Sequence, residues 1–104
     1  MDREFSFQPD KAAVLLSLMA NGGRLRVFKL ILDDEWDVSS LAKAVDLSQS
    51  ALSQHLKKLR DAKVVKTRRD AQTVYYYCDN AAVGAVLQTL ERIFSDEEHV
   101  TEAA

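Results

Sequence analysis

The stretch WDVSSLAKAVDLSQSALSQHLKKL contains two helix starts of the same design, and they constrain the fold more than any other part of the chain. Asp37 and Ser48 each offer a side-chain acceptor as an N-cap, with an apolar residue just before it and a leucine at the fourth helical position. This is the hydrophobic-staple pattern, which sets the angle at which the chain enters a helix. We expect helices over residues 38–45 and 49–61. Because only residues 46–48 join them, the two helices must cross steeply, as in a helix-turn-helix.

Two helices are expected before this pair, and a β-hairpin after it. The first helix starts at Lys11 with Asp10 as its N-cap, and the breaker Asn21-Gly22-Gly23 separates it from a second helix over residues 24–33. The runs VVKTRRD and TVYYYC are rich in β-branched and aromatic residues. They predict two strands joined by a polar tip at residues 70–72.

Helical spacing returns over residues 80–94, which gives the order α-α-α-α-β-β-α. The predicted fold class is mainly α with one small β-hairpin, a winged helix-turn-helix. We expect a single domain over residues 10–95, with a tail at residues 1–9 and an acidic tail at residues 96–104. The sequence contains no run of eighteen apolar residues and no signal-peptide pattern, so the expected location is the cytoplasm.

The second helix of the helix-turn-helix carries short or amide side chains where a solvated helix usually carries Glu and Lys. At 100° per residue its leucines fall on one side, and Ser50, Ser53, Gln54 and Lys57 fall on the other. Gln can offer a donor and an acceptor to adenine, Ser can take either role, and Lys favours guanine or phosphate. This side is therefore typical of a helix that enters the major groove of DNA. A merely solvated face is the alternative for these four residues taken alone.

The charge distribution supports a nucleic-acid partner although the net charge of −2 does not. Residues 57–70 carry seven basic and two acidic side chains, a balance of +5, while the rest of the chain carries −7. Arg68 and Arg69 lie in the hairpin, which in a winged helix lies over the DNA backbone or the minor groove. The predicted DNA-contacting residues are Ser48, Gln49, Ser50, Ser53, Gln54, Lys57, Lys58, Arg68, Arg69 and Gln72.

The segments LSQSALSQHLKKLRDAKVV and TRRDAQTVYYYC resemble the ArsR/SmtB family of bacterial winged-helix repressors, and the similarity extends over about residues 11–94. The resemblance implies a homodimer in which the first and last helices pair between subunits. The sequence agrees, because residues 12–19 and 82–94 are more apolar than one small subunit can hide. The alternative is that both helices complete the core of the subunit. The residues expected at the dimer interface are Val14, Leu15, Leu18, Met19, Val83, Val86, Leu87, Leu90 and Phe94.

Many members of this family release DNA when a metal binds, either to cysteines in the first staple helix or to acidic residues and histidines of the last helix. The corresponding segments here, DVSSLAKAV and NAAVGAVLQTLERIFSD, contain neither cysteine nor histidine. His55, Cys78 and His99 are too scattered to supply the nitrogen and sulfur ligands that zinc and related metals need. We therefore expect no metal and no cofactor.

The sequence thus predicts a transcription regulator that binds specific double-stranded DNA, as a homodimeric repressor on an imperfect palindrome in promoters. A second class is a protein-interaction or dimerisation module that kept the fold without DNA binding. An enzyme is disfavoured, because the chain shows no nucleophile beside a base and no glycine-rich phosphate loop. No membrane partner is expected.

Overall fold

A computed structural model describes residues 5–95. The first helix, α1, spans Pro9–Met19 and begins earlier than the sequence suggested, with Gln8 rather than Asp10 at the N-cap. Proline suits the first helical position because its missing N–H would have no partner there, and Asp10 instead lies in the first turn, where a negative charge favours the helix dipole.

Helix α2 spans Gly22–Asp33, so the two glycines begin the helix rather than separate it from α1. Asn21 is the N-cap, and its side-chain oxygen accepts the backbone N–H of Arg24 at 3.1 Å. An Asn cap satisfies one of the free donors at a helix start, which makes a start on glycine possible.

The helix-turn-helix is confirmed, with α3 over Val38–Ala44 and α4 over Gln49–Asp61. Both staple caps form as expected: the Asp37 carboxylate accepts the Ser40 N–H at 3.1 Å, and the Ser48 hydroxyl oxygen accepts the Ala51 N–H at 3.0 Å. The turn between the helices passes through Asp46 at φ 57°, a left-handed conformation that aspartate tolerates better than most residues.

The hairpin is also confirmed, with β2 over Lys66–Asp70 and β3 over Thr73–Tyr77, but it belongs to a larger sheet. A two-residue strand, β1 over Trp36–Asp37, pairs antiparallel with β3, and the strand order is β1-β3-β2. Two residues are too few to show the alternation by which a strand is recognised in a sequence, so β1 was missed. It ties the wing to the start of α3.

Helix α5 spans Ala81–Phe94 and is capped by Asn80, which accepts the Val83 N–H at 3.0 Å. Three residues expected at a dimer interface lie instead in the core of the subunit: Met19, Val83 and Leu87 are 3%, 0% and 8% exposed. The apolar stripe of a helix can be wider than the surface that one partner covers. In the sequence such a stripe looks continuous, although one edge of it packs within the subunit and the other edge does not.

The largest fully buried side chains of the core are Phe28, Ile31, Leu41, Leu52, Leu56, Leu59, Val27, Val45 and Val83. Within residues 5–95, no helix has the length and apolar character needed to cross a membrane.

Candidate DNA-binding surface

Helix α4 presents two chemically distinct sides. Leu52, Leu56 and Leu59 are fully buried and hold the helix against the core. On the opposite side Ser50, Ser53, Gln54 and Lys57 are exposed, in the arrangement expected from their spacing. None of the first three makes a side-chain hydrogen bond within residues 5–95, so their donors and acceptors are available to a ligand. The structure thus brings together the central part of the predicted site.

The start of α4 has a structural role as well as an exposed position. The Ser48 oxygen is engaged as the helix cap, while its hydroxyl proton remains available to donate. The Gln49 amide donates to the Ser39 hydroxyl at 3.3 Å and so links α4 to α3. Both residues are exposed. They fix the entry of the helix at the end that would approach a duplex.

The basic segment is only partly neutralised by the subunit. Lys57 pairs with Asp61 at 3.0 Å, and Lys66 pairs with Asp79 at 3.1 Å. Among the residues that the structure describes, four exposed cations of this segment have no ion-pair partner. These are Lys58, Arg60, Lys63 and Arg69.

The two wing arginines, both predicted to contact DNA, occupy different environments. Arg68 donates two hydrogen bonds to the Glu35 carboxylate, each 2.8 Å long, and its guanidinium lies 5.1 Å from the ring centroid of Tyr75. These hydrogen bonds hold the pKa of Glu35 below its ordinary value and raise the pKa of Arg68. Arg69 is exposed beside it, and Gln72 is exposed at the wing tip. In the free subunit, therefore, Arg69 offers its charge to solvent while Arg68 is engaged.

His55 lies at the edge of the buried side of α4, where Arg24 of α2 connects it to α1. The Arg24 Nε–H donates to His55 Nδ1 at 3.0 Å, and another nitrogen of the same guanidinium donates to the Leu18 carbonyl at 3.3 Å. Burial, followed by the nearby charge of Arg24, lowers the pKa of His55. The neutral imidazole is therefore the form that fits, because only an unprotonated Nδ1 can accept this bond. Sequence reasoning did not find the Arg24 contact, since the two residues are 31 positions apart.

Cys78 is buried at the end of β3, and its N–H donates to the Ile31 carbonyl at 2.9 Å. Burial raises the pKa of the Cys78 thiol, which disfavours the reactive thiolate. Within residues 5–95, no three His, Cys, Asp or Glu side chains are grouped closely enough to hold a metal ion. His99 lies outside the described residues, as does the acidic tail of residues 96–104.

A separate apolar surface lies at the ends of the chain. The large hydrophobic residues that the structure describes as exposed, at 45–61%, all precede or belong to α1 or lie at the end of α5; they are Phe5, Phe7, Val14, Leu16, Ile93 and Phe94. A shallow groove of about 370 Å³ lies between Leu16 of α1 and Leu90 of α5. Leu15, Leu18 and Val86 are half-buried against the core. Leu16 and Ile93, which the sequence did not lead us to expect at an interface, belong to this exposed apolar set.

A helix-turn-helix with a wing, a polar helix face open to solvent and free cations beside it defines the class of DNA-binding transcription regulators. Residues 21–67 match the family model described as bacterial regulatory protein, arsR family. The chain belongs to this family, which confirms the resemblance seen in its sequence.

The relatives extend the match beyond that segment. The chain is 48% identical to the nodulation protein NolR of Rhizobium meliloti over 88% of this chain and 75% of that protein. It is 46% identical to the transcriptional activator HlyU of Vibrio cholerae over 81% of this chain and 78% of that protein. The crystal structure of NolR from Sinorhizobium fredii aligns with a TM-score of 0.77 at 45% identity, over 86% of this chain and 96% of that one. The chain is thus a DNA-binding transcription regulator and not an enzyme, and nothing in these similarities favours an interaction module without DNA binding.

Proposed function

We propose that the protein acts as a homodimeric repressor, with α4 of each subunit in successive major grooves of an imperfectly palindromic site. The observation that carries the proposal is the exposed, compact and uncharged face of Ser50, Ser53 and Gln54, which is free of side-chain hydrogen bonds within residues 5–95. Side chains of this kind let a helix approach base edges closely, whereas long charged ones would hold its backbone away. A bound dimer represses by covering promoter DNA. A protein acting on the bacterial chromosome works in the cytoplasm.

The contacts divide by chemistry into base readout and backbone binding. Gln54 is suited to a bidentate contact with adenine, and Ser50 and Ser53 are suited to single hydrogen bonds with base edges. Lys58 and Arg69 are suited to phosphates, because their charges are exposed and free of ion pairs within the described part of the chain. Ser48, Gln49, Lys57 and Gln72 complete the surface.

The dimer is supported by the exposed apolar side chains at the ends of the chain. Large exposed apolar patches on soluble proteins mark interaction sites, and here several large hydrophobic side chains of α1 and of the end of α5 are at least 45% exposed. We assign the interface to Val14, Leu16, Ile93 and Phe94, with Leu90 in the groove between them. Leu15, Leu18 and Val86 lie between this surface and the core. For a two-fold dimer that binds half-sites one helical turn of DNA apart, the two copies of α4 should lie roughly 34 Å apart.

Selection of bound duplexes from a random pool tests this function directly. We expect enrichment of an inverted repeat with half-site centres about one turn apart, and binding that weakens steeply with salt because phosphate contacts release counterions. Failure to enrich any sequence, together with a salt slope near zero, would refute DNA binding and favour the interaction module. A reporter promoter carrying the selected site should lose expression when the protein is supplied. A rise in expression would refute repression while leaving DNA binding intact.

A further inference from the structure

Arg68, Glu35 and Tyr75 form a link across the whole width of the sheet. Arg68 belongs to the outer strand β2, and its Cα partner is Tyr75 of the middle strand β3. Its guanidinium passes over the Tyr75 ring and ends on the Glu35 carboxylate, just before β1. Two parallel N–H···O bonds to one carboxylate fix the orientation of the guanidinium as well as its position. The middle of strand β2 is thereby joined to the residue that precedes β1 and, through β1, to the start of α3.

Arg68 and Arg69 lie on opposite faces of the sheet. Cross-strand partners share a face, so Thr67, Tyr76 and Trp36 lie together on one side. Trp36 and Tyr76 pack against the core, which identifies this side as the inner one. Because side chains alternate along a strand, Arg68 lies on the outer face and Arg69 on the face that continues the inner one toward the wing tip.

Apart from its pairing with β3 and the Lys66–Asp79 ion pair, strand β2 has little other support. In β2 only Thr67 is half-buried, and every other residue of the strand is exposed. The β1–β3 pairing is limited to two residue pairs. Glu35 stands two residues before Asp37, the N-cap of α3, so a restraint on Glu35 is also a restraint relative to the helix-turn-helix.

We propose that Glu35 and Arg68 are positioning residues: their ion pair sets the orientation of the wing relative to α4, and Arg69, not Arg68, supplies the phosphate contact. The inference rests on the proposed DNA binding. It assigns to Glu35 a role in affinity although the residue is acidic. A fixed wing needs no ordering when DNA binds, so its contact is stronger.

The test compares Glu35→Gln, Arg68→Gln and the double variant on the selected duplex, over a series of salt concentrations. We expect each single variant to bind about two- to fivefold more weakly, in the range that a partly exposed ion pair supports, and the double variant to be no weaker than either. The salt slope should stay unchanged in all three, whereas Arg69→Gln should reduce it by about 1.8, the value for two phosphate contacts, one from each subunit of the dimer. Asp79→Asn is the matched control. Asp79 lies just after β3 and pairs with Lys66 of β2, so this variant also removes the carboxylate of an ion pair to β2, but it should not weaken binding.

The direction in which Glu35→Gln changes the affinity for DNA distinguishes a positioning role of Glu35 from a simple electrostatic effect of its charge. Removing an acidic group near DNA favours binding by simple electrostatics, so a loss of affinity cannot come from charge alone. If Glu35→Gln binds more tightly, or if Arg68→Gln lowers the salt slope as Arg69→Gln does, Arg68 is itself a phosphate ligand and the proposal is overturned.

A measurement without DNA keeps this inference separate from the proposed function. Amide hydrogen exchange over residues 66–77 should be faster in both single variants than in the wild type, with exchange in the buried part of α4 unchanged. Unchanged exchange in the wing would overturn the positioning role even if the wild type binds DNA as expected. A wild type that binds no duplex would refute the proposed function, whatever the exchange shows.

Discussion

Gln54 offers the sharpest test of base readout, because its side chain has no visible task within the subunit. It is exposed on the side of α4 opposite the buried Leu52 and Leu56, and makes no side-chain hydrogen bond with any described residue. Alanine is at least as good a helix former as glutamine. Gln54→Ala should therefore leave the fold and its melting temperature unchanged or slightly improved, and its effect on DNA can be attributed to the lost contact.

The expected magnitude follows from the chemistry of a bidentate contact. One such pair discriminates between bases by about 1–3 kcal/mol, which is roughly 5- to 140-fold in affinity at about 1.4 kcal/mol per tenfold. A symmetric dimer uses Gln54 twice, so a full palindrome should lose about 2–6 kcal/mol, limited by the remaining non-specific binding. Random duplexes should lose almost nothing, because phosphate contacts supply their affinity.

Fluorescence anisotropy on the selected duplex, on single-base variants of it and on a random duplex measures both quantities. Gln88→Ala is the matched control, an exposed glutamine on α5 far from the basic segment in sequence. The Gln54 variant should lose preference at one base pair in each half-site, while the control keeps it. Equal losses on cognate and random duplexes, or no loss at all, would show that this side of α4 does not read bases.

Three further perturbations probe the fold, its pH dependence and the interface. Ala71 lies at the wing tip at φ 56°, a left-handed conformation that costs a non-glycine residue about 1–2 kcal/mol. Ala71→Gly should therefore raise the melting temperature by a few degrees, and an unchanged value would show that the tip is unstrained. Since burial and the Arg24 charge lower the pKa of His55, the folded state favours the neutral imidazole. The contribution of the neutral His55 imidazole to the free energy of unfolding should be complete above about pH 6.5. It should be lost as the pH falls through the lowered pKa of His55 in the folded state. Urea midpoints should fall more between pH 7.5 and 5 in the wild type than in His55→Gln, which keeps an acceptor for Arg24; equal falls would contradict this. Phe94→Glu should weaken the dimer in sedimentation experiments and leave the subunit folded, because Phe94 is 56% exposed, whereas Leu87→Glu should unfold it. If the Phe94→Glu variant dimerises as tightly as the wild type, the end of α5 does not belong to the dimer interface.

The parts of this fold that depend on local rules could be predicted from the sequence. The caps at Asp37 and Ser48 formed because a short polar side chain before an apolar-periodic run satisfies helix N–H groups almost independently of the rest of the chain. The two sides of α4 followed from the helical period, since its leucines repeat at the spacing of one face. The hairpin followed from the composition of its strands.

The predictions that failed depended on packing between distant segments. Met19, Val83 and Leu87 look like interface residues in the sequence, because both a core contact and a dimer contact require an apolar side chain at helical spacing. Which edge of the stripe is covered depends on where α2 lies, and helical spacing does not contain that information. The Arg24–His55 bond was missed for the same reason.

The interpretation of the two wing arginines, Arg68 and Arg69, depends on strand β1, which was not predicted from the sequence. Strand alternation alone places Arg68 and Arg69 on opposite faces, but it does not say which face is outer, so both looked like DNA contacts. The answer depends on β1, whose two residues pair with β3 and bring Glu35 within reach of Arg68. A strand too short to be recognised thus brings Arg68 into an ion pair with Glu35, while Arg69 has no ion-pair partner among residues 5–95. Asp37 of this strand is also the N-cap of α3, and Trp36 is the residue before the cap. The segment Glu35-Trp36-Asp37 therefore contacts the wing and begins the helix-turn-helix, so it influences the geometry of both.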